Sequence, residues 1–363
     1  MNLRHLAALA ACLAATTALA HAPNEPPHQA FALGDFKLES GESIKDFSLS
    51  YVTHGTLNAD KSNAVLVVTA IGGNHHRIDH LIGPGKGIDP ANHFVIAVDA
   101  ISNGLTTSPS NSKAQPGMQF PKFNIRDMVN SAQLLVKDKF GIAKLASVVG
   151  VSMGGMQALQ FAVSFPEMTR SVVAIVPLAK TTPWTTNMLE LLRQAIMTDA
   201  AWAGGNYPTN APPEKGMRLW ARILNGGIVR TPDVLQADFP NSNLDVVKWQ
   251  EGLADSGWKR MDARDWIYQS WAYDQHNVGM TPGFNGNYER ALNSIKAKTL
   301  ILAGEGDLLN PEANAKEAAK LIPGARYVSL KPRYPLGHLS GAPGQAPEME
   351  IQNREIAAFV SGL

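Results

Sequence analysis

The chain has 363 residues, 45% of them hydrophobic and 17% charged, with a formal net charge of +1. That length holds one large domain with an insertion, or two domains, and the composition is that of a soluble globular protein. No clustered run of Lys and Arg marks a polyanion surface, so no nucleic-acid partner is expected.

Residues 1–22 read as an export signal. Arg4 gives a short positive start, and Leu6 to Leu19 form an alanine- and leucine-rich stretch too short to span a bilayer. Ala18-Leu19-Ala20 and Ala20-His21-Ala22 both place small residues at cleavage positions. The expected location is periplasmic or secreted, with no membrane span; the competing reading is a buried N-terminal helix. Cys12 is the only cysteine and lies inside this segment. A mature chain without it carries no thiol, which suits an oxidising compartment. Leu9-Ala10-Ala11-Cys12 also has the look of a lipoprotein cleavage box. Only about six apolar residues precede it, short of the usual h-region of roughly 7–15, so cleavage near Ala20 or Ala22 is preferred.

Residues 47–57 alternate like a strand, while 64–73 and 93–100 are near-continuous apolar runs. Such runs suit parallel strands covered on both faces. Ile125, Val129, Ala132 and Val136 recur at helical spacing, and Gly141 follows as a C-cap. A strand at 147–150 leads into a helix from Met153 to Phe165, and 171–179 is the next strand. The strand–helix rhythm then stops. Residues 181–284 hold all seven tryptophans (Trp184, Trp202, Trp220, Trp249, Trp258, Trp266 and Trp271) and several amphipathic helix patterns. This segment reads as a helical lid, most of its tryptophans packing and one or two facing a substrate. The rhythm returns with a strand running into a loop at 297–311. Asn310-Pro311-Glu312 reads as a helix start with Asn310 as its cap. A strand at 325–330 and a closing helix from Glu348 to Phe359 complete the chain. Alternating strands and helices imply a largely parallel sheet with helices on both faces.

Gly150-Val151-Ser152-Met153-Gly154 fits G-x-S-x-G. A serine at a sharp strand-to-helix turn is held with its hydroxyl projecting above the sheet edge, and the flanking glycines let strand and helix pass closely. A serine hydroxyl needs a base. Asp307 follows the strand at 297–304, and His338 follows the strand at 325–330, so an acid and then a histidine stand at later strand ends. The roles this predicts are Ser152 as nucleophile, His338 as general base and acid, and Asp307 as the group that orients the imidazole. Glu305 is a rival acid two residues earlier. The backbone N–H groups of Met153 and Ile71 are the expected oxyanion donors. The order Ser152, Asp307, His338 predicts an α/β-hydrolase fold, with a core from 23–180 and 285–363 and the lid from 181–284. His75, His76 and His80 suggest a metal, but adjacent histidines do not easily share one ion, and no cysteine or carboxylate pair completes a site in sequence. No metal and no cofactor is expected, and no nucleotide-binding glycine loop is present.

Longer segments resemble the homoserine O-acetyltransferase family of α/β-hydrolases. They are GPGKGIDPANHFVIAVDAISN (83–103), GVSMGGMQALQFAVSFPE (150–167), LRQAIMTDAAWAGGNY (192–207), GMRLWARIL (216–224) and YERALNSIKAKTLILAGEGDLLNP (288–311). The resemblance implies transfer of an acetyl group from acetyl-CoA to an amino-acid hydroxyl through an acyl-serine, and lid helices able to pair two copies as a homodimer. It implies a substrate-facing lid arginine, matched by Arg222. It also implies an aspartate after the catalytic histidine, where Leu339 stands, and a lid tyrosine, where Val229 stands. TAIGG (69–73) replaces the family's HALTG. With the acyl-transfer set matched, part of the amino-acid set missing and export expected, the reading is an exported serine esterase acting on an ester with a smallish acyl group, through an acyl-serine with water as acceptor. The alternative is an acetyl-CoA-dependent O-acyltransferase.

Overall fold

The computed structural model describes residues 26–240, 243–331 and 335–361. The predicted export signal and Cys12 lie outside them. Eight strands form one sheet: β1 (Gln29–Lys37), β2 (Ser43–His54), β3 (Ala64–Val68), β4 (Phe94–Val98), β5 (Leu145–Val151), β6 (Thr169–Ile175), β7 (Lys298–Gly304) and β8 (Arg326–Leu330). Their order is β1-β2-β4-β3-β5-β6-β7-β8. β1 and β2 run antiparallel to their neighbours, and every other pairing is parallel. This is the α/β-hydrolase fold anticipated from the sequence.

Every residue of β3, β4 and β5 is buried. Side chains alternate faces along a strand, so Leu66 and Val68 join one apolar cluster while Val65 and Val67 join the other. Two covered faces explain why these strands read as unbroken apolar runs. β1 is legible only in the structure. It is an edge strand, mostly exposed, with register breaks around Gly34.

The helices are α1 (Ile125–Leu134), α2 (Met153–Ser164), α3 (Pro183–Met197), α4 (Glu214–Ile223), α5 (Pro232–Asp238), α6 (Asn243–Gly257), α7 (Ala263–Asp274), α8 (Tyr288–Asn293), α9 (Glu312–Leu321) and α10 (Ala346–Ser361). An Asn124–Asp127 capping box starts α1, two orphan donors being satisfied reciprocally. α4 runs on into a wider turn at Leu224–Ile228. Helices α3 to α7 lie between β6 and β7 in sequence, and they do not form a separate core. Trp202, Trp220 and Trp266 share one apolar cluster with Met128 and Met156 of α1 and α2. The Gln269 amide donates to Ile101 O (2.9 Å) and the Tyr268 hydroxyl to Phe120 O (2.7 Å). These contacts seat α7 over the loops that leave β4. Among the described residues no helix is long and apolar enough to cross a membrane.

Candidate active site

Ser152 sits between the end of β5 and the first residue of α2, at φ 57 and ψ −119. A non-glycine residue there is strained, and such strain concentrates at functional turns. The turn is tight enough that neither flanking glycine has room for a side chain. A Cβ on Gly150 falls 2.2 Å from Gly154 O, and one on Gly154 falls 2.3 Å from Val68 O.

The structure brings the three side chains singled out in sequence into one hydrogen-bonded chain. His338 Nε2 lies 2.8 Å from Ser152 Oγ, and His338 Nδ1 lies 2.7 Å from Asp307 Oδ2. All three residues are buried. The network assigns the Nδ1–H tautomer, which leaves Nε2 free to accept the serine proton. Asp307 is itself held, because its Oδ1 accepts the backbone N–H groups of Leu309 and Asn310, both at 2.8 Å. Glu305 turns away and pairs with Lys331 at 2.7 Å, so it is not the acid beside the histidine.

Met153 is the first residue of α2, and Ile71 lines the cavity above Ser152. No acceptor for either backbone N–H is found among the described residues, whereas Gly73 N–H donates to Ala70 O and Gly72 N–H to the Gln269 carboxamide (2.8 Å). Gln269 of α7 therefore fixes the loop that carries Ile71, a role no local sequence pattern announces. Tyr273 is another residue the sequence did not reveal. It is fully buried and donates to Asn310 Oδ1 at 2.7 Å. Burial pushes its phenol up from the ordinary value, so it stays protonated as a donor. The Asn310 amide donates to Val176 O (2.8 Å). Asn310 is thus not the cap of α9. Pro311 takes that position without a side-chain bond, because the asparagine is committed to the site's interior.

A cavity of about 350 Å³ opens over Ser152 and His338. Trp220, Trp266 and Met261 give it apolar walls. Leu339 and Val229, which stand where the family resemblance calls for aspartate and tyrosine, both line it, and Leu339 N–H donates to Val229 O at 3.1 Å. Arg222 does not line it. Trp220 of α4 and Leu224, the first residue of the wider turn that continues it, both face the cavity, and Arg222 lies midway between them in sequence, about 200° round the helix from Trp220. Arg77, Arg230 and Arg260 line it instead.

The histidine-rich stretch forms a short helical turn at His75–Leu81. His76 Nδ1 meets Asp79 Oδ2 (2.7 Å), and His80 Nε2 meets Gln352 (3.3 Å). His28, His75 and Asp99 place ligand-type atoms within 4.8 Å of one another, a grouping the sequence hid. Asp99 is already hydrogen-bonded there by Ser50 Oγ (2.7 Å), His75 N–H (2.9 Å) and Asn103 Nδ2 (3.0 Å). That arrangement is a polar network tying β2 and β4 to the loop after β3.

Residues 63–342 match the alpha/beta hydrolase fold family. A homoserine O-acetyltransferase of Nostoc punctiforme is 31% identical over 341 residues, 89% of this chain and 95% of its own length. The chain belongs to the homoserine O-acetyltransferase family of α/β-hydrolases. Among solved structures, an acetylester hydrolase from Corynebacterium glutamicum is 26% identical with a TM-score of 0.85, covering 92% of this chain and 96% of that one. A homoserine O-acetyltransferase from Bacillus anthracis is 25% identical with a TM-score of 0.82, covering 92% and 97%. Proteins named for transfer and for hydrolysis thus share this backbone almost equally, and the choice of acceptor rests on side chains.

Proposed function

We propose that the protein is a serine acyl-transfer enzyme that passes a short acyl group from an ester or thioester donor to a hydroxyl acceptor through an ester of Ser152. The observation that carries this reading is the Ser152–His338–Asp307 hydrogen-bonded chain at the floor of a cavity. Ser152 Oγ attacks the donor carbonyl while its proton passes to His338 Nε2. The bond to the leaving alcohol or thiol breaks, and His338 returns the proton to that group. The acceptor hydroxyl then gives its proton to His338 and attacks the acyl-serine; the bond to Ser152 Oγ breaks, and His338 returns the proton to that oxygen. Met153 and Ile71 N–H groups receive the negative oxygen in each step. Asp307 orients the imidazole and stabilises its charged form.

Transfer to an alcohol is supported by the curated relative, which is named an acetyltransferase. A second reading, hydrolysis, is favoured by Leu339 and Val229 in the cavity and by the likeness to an acetylester hydrolase. Export is proposed on residues 1–22; sequencing the mature N-terminus tests it, and an intact Met1 sinks it. In an exported enzyme, water is always present and acetyl-CoA is not.

The experiment separates the readings in one vessel. The enzyme receives acetyl-CoA or a short acetyl ester, with homoserine, with simple alcohols, or with neither. Acceptor-dependent O-acetyl product supports transfer, and acetate released at the same rate without acceptor supports hydrolysis. Absence of any acyl-enzyme, together with no fluorophosphonate labelling at Ser152, overturns both.

A further inference from the structure

The cavity above Ser152 has an unbalanced charge. Arg77, Arg230 and Arg260 line it, and among the described residues no Asp or Glu does. None of the three is in an ion pair among the described residues. Arg260 Nε donates to Ser256 O (3.2 Å), and Arg230 donates to Asn225 O and lies over the Trp249 ring at 4.8 Å. Asp238 acts on Arg230 only through space. Burial and the neighbouring Arg260 charge both pull the Arg77 guanidinium below its ordinary value, as expected of two cations facing one space without a counter-ion.

Arg77 and Arg260 also face an adjoining cavity that shares Gly72, Gly73 and Met261 with the first. Two carboxylates line that neighbour, and both are committed elsewhere. Asp262 accepts from Arg264 Nη2 (2.9 Å) and the Tyr207 hydroxyl (2.6 Å). Asp265 accepts from the Ser110 N–H (3.0 Å) and hydroxyl (2.5 Å), and burial pushes its carboxyl up to about 7. Neither neutralises the arginine pair.

Resting on the acyl-serine reading above, we propose that the alcohol portion of this enzyme's substrate is a hydroxycarboxylic acid without an ammonium group, its carboxylate held by Arg77 and Arg260 with Arg230 adding to the positive field. A carboxylate there gains charge-assisted hydrogen bonds. An α-ammonium faces three cations and finds no acidic partner, since Leu339 occupies the position after His338. Discrimination against an amino alcohol thus comes from repulsion as well as from a missing contact.

The test uses three acetyl esters of one carbon skeleton: γ-acetoxybutyrate, butyl acetate and O-acetylhomoserine. Acylation of Ser152 is read by rapid-quench intact mass, which serves whether water or an alcohol later deacylates it. The expected order is γ-acetoxybutyrate first, by at least about tenfold over butyl acetate, with O-acetylhomoserine well below γ-acetoxybutyrate. The preference shrinks with added salt. In Arg77→Gln and Arg260→Gln the ratio of anionic to neutral ester collapses, and Arg→Lys at either site restores part of it. Circular dichroism and thermal unfolding of each variant report its folded fraction independently of the cavity. Equal rates for the anionic and neutral esters in the parent, or an unchanged ratio in both Gln variants, overturns the proposal while leaving the acyl-serine reading intact. A third arm compares acetyl-CoA with S-acetylpantetheine. If arginine dependence appears only with the phosphorylated donor, the recognised anion is a phosphate and the hydroxy-acid assignment fails. No acylation by any donor fails the underlying reading instead.

Discussion

Gly154→Ala tests the mechanical basis of the site. A Cβ at residue 154 meets Val68 O at 2.3 Å, Val68 C at 2.9 Å and Thr69 O at 3.1 Å. All three are backbone atoms of β3 and its exit, so no flexible side chain can swing aside. Ordinary contact begins near 3.4 Å, and relief demands a separation of about 1 Å. That shift moves the start of α2, which carries Ser152 and Met153, away from the loop that carries Ile71. A 1 Å misplacement costs on the order of 100-fold in rate. Weakening one oxyanion donor costs about 3 kcal/mol, which is similar. Overpacking removes roughly 1–3 kcal/mol of stability.

The expected outcome is therefore a drop in Ser152 acylation on the order of 100-fold, with a folded protein that melts several degrees lower. Stopped-flow acylation by a short nitrophenyl ester gives the first quantity and thermal unfolding the second. Gly252→Ala in α6 is the control, because nothing lies within 4 Å of its Cβ and alanine is the better helix former by up to about 1 kcal/mol. It should keep the parent's acylation rate and melt no lower. If Gly154→Ala acylates and melts like the parent, the packing argument for the G-x-S-x-G spacing is wrong here.

Asp307→Asn should slow acylation by roughly 10⁴ through the wrong imidazole tautomer, while Glu305→Gln stays within a few-fold; the reverse pattern reassigns the acid. Tyr273→Phe leaves the buried Asn310 Oδ1 without its donor, so urea unfolding should show a loss of about 1–3 kcal/mol, and acylation should slow because Asn310 N–H holds Asp307. Unchanged values in both assays remove Tyr273 from the site. Asp265→Asn addresses pH. The folded carboxyl is pushed up to about 7 by burial, so between about pH 4 and 7 the native chain keeps a proton that the unfolded chain loses, and stability falls as pH rises. His276, held at about 3 by burial, contributes the opposite slope from about 3 to 6.5, so the diagnostic quantity is variant minus parent. Relative to the parent, Asp265→Asn should gain stability from pH 5 to pH 8, by about 3 kcal/mol; a flat difference rejects the assignment.

What could be read from sequence follows from how local each signal is. β3 to β5 announce themselves because both faces are buried, and Ser152 because its turn needs glycines at fixed offsets. Asp307 and His338 are legible as polar residues just past buried strands. Asn310 misleads because an asparagine before Pro-Glu satisfies the rules of a helix start equally well, and only the structure shows its side chain turned inward to Val176 and Tyr273. Arg222 is a different case. Family position placed it at the substrate, yet a half-turn of helix separates it from the face α4 gives the cavity. Arg77 and Arg260 carry no motif, and 183 positions of chain separate them.

The division of labour in the fold explains this pattern. The sheet and its exit turns hold Ser152, Asp307 and His338, with chain-local constraints that leave a spacing to read. The insertion between β6 and β7 supplies Trp220, Arg230, Arg260 and Trp266, and the loop after β3 supplies Arg77. These side chains meet only in three dimensions, and nothing in backbone geometry obliges them to be arginine or tryptophan. Charge on the lid can therefore change without disturbing Ser152, His338 or Asp307. On the proposed reading, the acyl chemistry stays with the sheet while Leu339, Val229 and Arg260, which line the cavity, select the acceptor.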